Sequence, residues 1–422
     1  MRKYLGLILI PALLLTACGG GGSSSSGGGG GGGGTPPPTQ TITPPGAPNV
    51  EQIYVDGFTQ TLTSPAVNTP YVTLQVCVPS TSTCQTIDHI EVDTGSVGLR
   101  IISSALTITL PAVTTTGAPG GNPLAECLQF ADGSSWGSVN MADVTMPISG
   151  EKAAAVNVQV IGGAAAGTVT NAECQGVPEN TVQTFGANGI LGIGPFTNDC
   201  DSGGSCTPNI NNQAANYFEC PSPSTCAATT ATLQQQLENV VTMFAKDNNG
   251  SIIELPPVGS SGAATVTGSL VFGINTETDN MLASNITELQ TSSLSGYLTA
   301  TLNGMSYPDS YLDSGSNGNF FTDSLTVCPG GPTATTGFYC PTSTVSEDAT
   351  LSSPVGNGKL AANFSVANAD TLFNNNPTFT AFSNLAGTNA DPNSLDLGLP
   401  FFFGVNIYTG IENGASQPFF AY

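Results

Sequence analysis

Two stretches decide how this chain reads: His89-Ile90-Glu91-Val92-Asp93-Thr94-Gly95-Ser96-Val97-Gly98 and Ser310-Tyr311-Leu312-Asp313-Ser314-Gly315-Ser316-Asn317-Gly318. In each, a short strand-forming segment runs into an aspartate followed by a hydroxyl residue, a glycine and a serine. One such D-[ST]-G-S in a chain rich in Gly and Ser is an ordinary Asx turn. Two copies mean more when each has a matching element downstream. Gly189-Ile190-Leu191-Gly192-Ile193-Gly194 follows the first and Leu397-Gly398-Leu399-Pro400-Phe401 the second, with Ile190 and Leu397 at comparable offsets from their aspartates. Two homologous halves are the economical explanation.

Around these turns, short alternating apolar and polar runs are separated by Gly, Pro, Asn and Ser. Tyr71 to Val78, Ile87 to Val92, Val156 to Ile161 and Ser269 to Ile274 all have the two-residue period of half-buried strands. The pattern predicts an all-β chain. Ala231 to Lys246 is the exception, since Leu233, Leu237, Val240, Val241 and Phe244 fall at helical spacing before the Asn248-Asn249-Gly250 stop. That spacing predicts one amphipathic helix.

Of 422 residues, 29 are Asp or Glu and only 6 Lys or Arg, giving a net charge of -23. Such a balance excludes nucleic-acid binding, which needs clustered cations against phosphate. His89 is the only histidine, so a His-rich metal site is excluded and any chemistry rests on carboxylates. No metal and no cofactor is expected. The basic pair Arg2-Lys3 and the apolar run Leu5 to Leu15 form an export leader too short to span a bilayer. Leu15-Thr16-Ala17-Cys18 resembles the lipobox of bacterial lipoproteins. That resemblance implies cleavage before Cys18, lipid on its thiol and, with Gly19 rather than Asp following, an outer-membrane location.

Residues 19–48, all Gly and Ser and then rich in Thr and Pro, are expected to be a disordered tether. With Cys18 committed to lipid, ten of the 11 cysteines remain for disulfides in an oxidising compartment. Their spacing suggests the local pairs Cys77/Cys84, Cys200/Cys206, Cys220/Cys226 and Cys328/Cys340, which leaves Cys127/Cys174.

Taken together, the two D-[TS]-G-S turns and the apolar-Gly elements make residues 70 to 422 resemble the bilobal pepsin-like aspartic peptidases. Phe130-Ala131-Asp132-Gly133-Ser134-Ser135-Trp136-Gly137 is similar to that family's flap hairpin, and Gly268 to Asn275 to the strand leading into its second lobe. The resemblance implies two homologous lobes of six-stranded-barrel type, residues 49–275 and 276–422, with few short helices. It implies a catalytic pair, Asp93 and Asp313, and a peptide or protein substrate for a monomeric enzyme. Thr94 and Ser314 would cross-brace the turns, Gly95 and Gly315 would permit them, and Ser96 and Ser316 would bond the outer carboxylate oxygens. Phe130, Asp132, Gly133, Ser134 and Trp136 would face substrate from the flap, with Trp136 as its aromatic tip.

This chain departs from the family at three points. Phe130 and Arg100 stand where the family has a hydrogen-bonded Tyr and Trp, and Glu91 replaces an apolar residue two positions before Asp93. A third carboxylate there is expected to raise the proton affinity of the pair. Arg100 is expected to be solvated or ion-paired, and His89 to be a satisfied strand residue.

The chemistry follows from the residue types. Peptide hydrolysis without a metal or covalent nucleophile needs one group to take a proton from water and another to give one to the carbonyl oxygen. Two close carboxylates sharing one proton do both. Two other readings compete. A pepsin-like fold without catalysis would serve as a binding or inhibitor module. Separately, Cys200-Asp201-Ser202-Gly203-Gly204 is similar to the nucleophile motif of chymotrypsin-like serine peptidases, with His89, Asp93 and Ser202 in matching order. The cysteine before Asp201 and the short Cys200/Cys206 loop weigh against that arrangement.

Overall fold

The computed structural model describes residues 40–422 except 117–119, 164–173, 175, 201–205, 207–215, 223, 330–334 and 414–415. The leader, Cys18, residues 19–39 of the tether and Ser202 lie outside the described residues.

The chain is all-β, as the alternation predicts. The segments read as strands lie within Tyr71–Cys77, Cys84–Asp93, Lys152–Ile161 and Val266–Phe272. Alternation becomes a core because every second side chain of a strand faces the same side. Val72, Leu74 and Val76 are fully buried, and they meet Ile90, Val92, Leu99, Val158 and Leu191 in one cluster. Each such side chain contributes about 1.5–3 kcal/mol.

Six strands of the first half close into a barrel. Tyr71–Cys77 pairs antiparallel with Cys84–Asp93, which runs parallel to Gly189–Ile193. Gly189–Ile193 is antiparallel to Val97–Ile102, which is parallel to Lys152–Ile161. Lys152–Ile161 pairs with Ser134–Thr145, which returns to Tyr71–Cys77. Closure leaves no free edge within this ring.

The second half repeats the central three strands in an open sheet of seven strands. Met305–Leu312 runs parallel to Asp396–Leu397, which is antiparallel to Asn319–Phe320. Strands beyond residue 275 also join the sheet of the first half, since Asn406–Gly410 pairs with Gly250–Glu254. The chain is thus sewn together across the expected 275/276 division.

All five disulfides form as the spacing suggests: Cys77–Cys84, Cys127–Cys174, Cys200–Cys206, Cys220–Cys226 and Cys328–Cys340. They are the mark of an exported protein. No helix of the described residues is long and apolar enough to cross a membrane.

Two expectations are corrected. Ala231 to Lys246 is not a helix but holds two short 3-10 turns, Leu233–Gln235 and Val240–Met243. Tertiary hydrogen bonds take the backbone groups that a helix would pair internally. The Leu237 N–H donates to the Tyr217 hydroxyl (2.8 Å), and Asn157 Nδ2 donates to the carbonyls of Gln234 (2.9 Å) and Gln236 (3.0 Å). Leu237, Val240, Val241 and Phe244 are buried all the same. The tether is also shorter than composition suggests, because residues 40–43 and Ala47 lie against the body. Gln40 donates to the Leu255 carbonyl and to Asn406 (both 2.9 Å), and the Thr43 N–H donates to Glu254 (2.6 Å).

Candidate active site

Asp93 ends strand Cys84–Asp93, and Asp313 follows strand Met305–Leu312. Each chain then turns over its glycine: the Gly95 N–H donates to Asp93 Oδ1 (2.6 Å) and the Gly315 N–H to Asp313 Oδ1 (2.8 Å). Glycine is required at both positions by close approach. A Cβ on Gly95 would lie 2.4 Å from Asp313 Oδ2, and one on Gly315 would lie 2.8 Å from Asp93 Oδ1. Each turn therefore presses its bare backbone against the carboxylate of the other.

Thr94 and Ser314, both fully buried, lock the turns together reciprocally. The Thr94 N–H donates to Ser314 Oγ (3.1 Å) while the Ser314 N–H donates to Thr94 Oγ1 (2.9 Å). The hydroxyls then donate onward, Thr94 to the Leu312 carbonyl (3.0 Å) and Ser314 to the Val92 carbonyl (2.7 Å). Four buried hydrogen bonds across two halves fix the spacing of the carboxyl groups, because leaving any of these groups unpaired costs about 1–3 kcal/mol. Asp93 and Asp313 consequently face each other across the two turns, and Asp313 is held well above the usual carboxylate range by burial and by the charges of Asp93 and Asp396.

Around the pair opens a cleft of about 140 Å³ whose walls include Phe130, Arg100, Asp199 and Tyr311. Phe130 stands at the turn of the hairpin formed by Leu124–Gln129 and Ser134–Thr145, where its N–H donates to the Gly133 carbonyl (2.8 Å). Its ring meets Phe185 edge-on at 5.8 Å. Asp132 is exposed at the same turn, while Gly133 and Ser134 are buried. Ser134 is tied away from the cleft by backbone bonds to Val177 and Glu179 (both 2.9 Å). Trp136 is not the tip. It is buried against Phe218 (5.1 Å, edge-on) in a cluster with Cys127, Cys174 and Cys220. The hairpin is not free-standing either, because Leu124–Gln129 also pairs with Tyr217–Ser222.

Other single residues find partners as well. Arg100 is ion-paired and fully buried, with Nη2 donating to Glu126 (2.6 Å) and lying 3.4 Å from Asp199, and Nη1 donating to the Val97 carbonyl (2.8 Å). Tyr217 donates to Asp199 (2.8 Å), whose carboxyl is held well above its usual range by burial and by Glu126. His89 turns Nε2 to Asp56 (3.1 Å) and stacks on Phe58 at 3.8 Å, so it is engaged away from Asp93.

Around the aspartates, the halves differ in two carboxylates. Glu91 is buried two residues before Asp93, and burial followed by the charges of Asp93, Asp132 and Glu179 holds it well above its usual range. Asp396, which sequence reading passed over, is 3% exposed and is hydrogen-bonded to Ser316 (2.5 Å). Ser316 also reaches Asp313 Oδ2 (3.3 Å), as expected. Ser96 does not do the same for Asp93; its Oγ is buried with no hydrogen-bond partner among the described residues. The signal for Asp396 lay one residue from where the repeat was aligned. Val92 stands opposite Leu191 and Leu312 opposite Leu397, so Ile190-Leu191-Gly192 corresponds to Asp396-Leu397-Gly398.

The fold and site define a disulfide-bonded, all-β protein that presents two closely facing carboxyl groups in a cleft between two related turns. The chain belongs to the family described as a protein of unknown function, DUF3443, whose model matches residues 45–422. A comparison with curated proteins finds no match.

Proposed function

We propose that this chain is an exported aspartic endopeptidase, held to the cell envelope through lipid on Cys18, at the outer membrane, and acting on peptide or protein substrates. The carrying observation is the reciprocal Thr94/Ser314 bracing, which holds Asp93 and Asp313 face to face at the cleft. Structure alone would not need two closely set, mutually repelling carboxyl groups there, because a pair of apolar residues would fill the space at less cost.

In the singly protonated pair, the ionised carboxylate takes a proton from water as the water oxygen bonds to the peptide carbon. The protonated partner gives its proton to the carbonyl oxygen. The resulting diol collapses as the C–N bond breaks: the pair's proton passes to the leaving nitrogen while one diol hydroxyl gives its proton to the ionised carboxylate, which returns the pair to one shared proton.

One observation favours a binding module instead: the flap hairpin is fixed in a sheet by Tyr217–Ser222. Digestion of a denatured protein by the mature chain across pH separates the two readings. Pepstatin-sensitive cleavage that disappears in Asp93→Asn and Asp313→Asn, with unchanged circular dichroism, is the expected result. Substrate binding without turnover at every pH would establish the module. The anchor has its own test, since labelled fatty acid should attach to the wild type and not to Cys18→Ala.

A further inference from the structure

Ser316 has one hydroxyl proton and two carboxyl oxygens that compete for it, Asp396 Oδ2 at 2.5 Å and Asp313 Oδ2 at 3.3 Å. Which one receives it depends on Asp396. A protonated Asp396 donates to Ser316 Oγ and leaves the hydroxyl proton for Asp313. An ionised Asp396 draws that proton to itself. The resting state follows from the surroundings. Asp396 is 3% exposed and its Oδ1 has no hydrogen-bond partner among the described residues. The titratable groups facing it are Tyr311 and Asp313 from the neighbouring strand and Asp93 from the first half, and none of them supplies a positive charge. An ionised carboxylate placed there is uncompensated, so Asp396 rests neutral.

We propose that Asp396 is a positioning residue for the carboxyl pair: a third proton-holding group, joined to Asp313 through the Ser316 hydroxyl. The inference rests on the peptidase reading. The transfer is balanced. The Asp396 O–H bond breaks as its proton bonds to Ser316 Oγ, and the proton previously on Ser316 bonds to Asp313 Oδ2. One proton moves from Asp396 to Asp313 with no change in total charge. The first half has no counterpart, because Ile190 occupies the equivalent register position and the Ser96 hydroxyl has no hydrogen-bond partner among the described residues. Asp396 therefore makes the two catalytic aspartates inequivalent. By resupplying Asp313, and by opposing further ionisation once it is itself charged, it keeps the pair singly protonated to higher pH than two carboxylates alone.

The test is the pH profile of kcat/KM for cleavage of denatured casein by the wild type, Asp396→Asn and Ser316→Ala. In Asp396→Asn the side chain still donates to Ser316 but carries no titrating proton. Its basic limb should move to lower pH by about one unit while the acid limb stays in place. Ser316→Ala cuts the connection but also removes a donor to Asp313, so the coupling is read in that background, where Asp396→Asn should move the basic limb by less than it does in the wild type. A basic limb that does not move in Asp396→Asn overturns the proposal even if kcat falls, since a merely structural residue would change rate or stability without moving the limb. If Asp396→Asn does not fold, carbon-13 NMR of the wild-type aspartate carboxyls takes its place, and the absence of a titration midpoint above the usual range overturns the proposal equally. Should the wild type cleave at no pH, the peptidase reading fails instead. Carbon-13 NMR of aspartate carboxyls then decides the coupling: Asp396→Asn should lower the highest titration midpoint among the remaining site aspartates, and an unchanged midpoint refutes it.

Discussion

The two halves build the same turn from the same strand arrangement and surround it differently. In the first, Glu91 and Arg100 both stand opposite Ile190; in the second, Tyr311 and Phe320 both stand opposite Asp396. Charge and apolar character have changed places at equivalent positions. Arg100 answers Glu126 and Asp199, while among the described residues the Asp396 carboxyl answers only the Ser316 hydroxyl. A duplicated backbone thus fixes where the carboxyl groups sit, and the neighbouring side chains fix how tightly each half holds protons.

The largest expected effect tests the shared part. Gly95→Ala and Gly315→Ala each push a methyl group toward the opposite carboxylate, at 2.4 Å and 2.8 Å respectively. Both should lower kcat by about a hundredfold or more, Gly95→Ala further, because misplacing a reacting group by about 1 Å costs that much. Equal residual activities would show that the turns yield to the same degree. Next comes Arg100→Met, which strands Glu126 and Asp199 without their cation. It should cost about 3–5 kcal/mol in chemical denaturation, the usual penalty for breaking a buried ion pair.

Glu91→Gln should have a smaller, pH-dependent effect. Its carboxyl is held well above the usual range in the folded chain, so the folded state binds a proton that the unfolded state has already released. The wild type therefore loses stability as pH rises from about 4.3, the ordinary glutamate value, toward the higher folded value. Melting temperatures of wild type and Glu91→Gln should agree below that window, and the variant should melt higher near neutrality. The smallest effect belongs to Ser96→Ala. Its Oγ is buried and has no hydrogen-bond partner among the described residues, so removal should leave melting within about 0.5 kcal/mol of wild type and leave the pH profile unmoved, in contrast with Ser316→Ala.

Much of this was legible in the residues. The alternation of Tyr71 to Val78 and its relatives announced strands, because a two-residue period is a local property of extended backbone. The repeated D-[TS]-G-S announced two related turns, and cysteine spacing announced the disulfides, because short loops leave few partners in reach. Ala231 to Lys246 misled for the converse reason. Helical spacing is local, but the Tyr217 hydroxyl and the Asn157 amide that claim its backbone come from far along the chain.

Sequence by itself therefore determined the all-β class, the duplication, the aspartates at 93 and 313 and the residues that brace them. Tertiary structure alone decided that Trp136 lies behind the flap, that Arg100 is buried with Glu126 and Asp199, and that Asp396 meets Ser316 and stands beside the pair. The physical reason is range. Strand period, turn chemistry and short disulfide loops are set by residues a few positions apart, whereas a proton's affinity for a buried carboxyl is set by burial and by charges brought from anywhere in the chain.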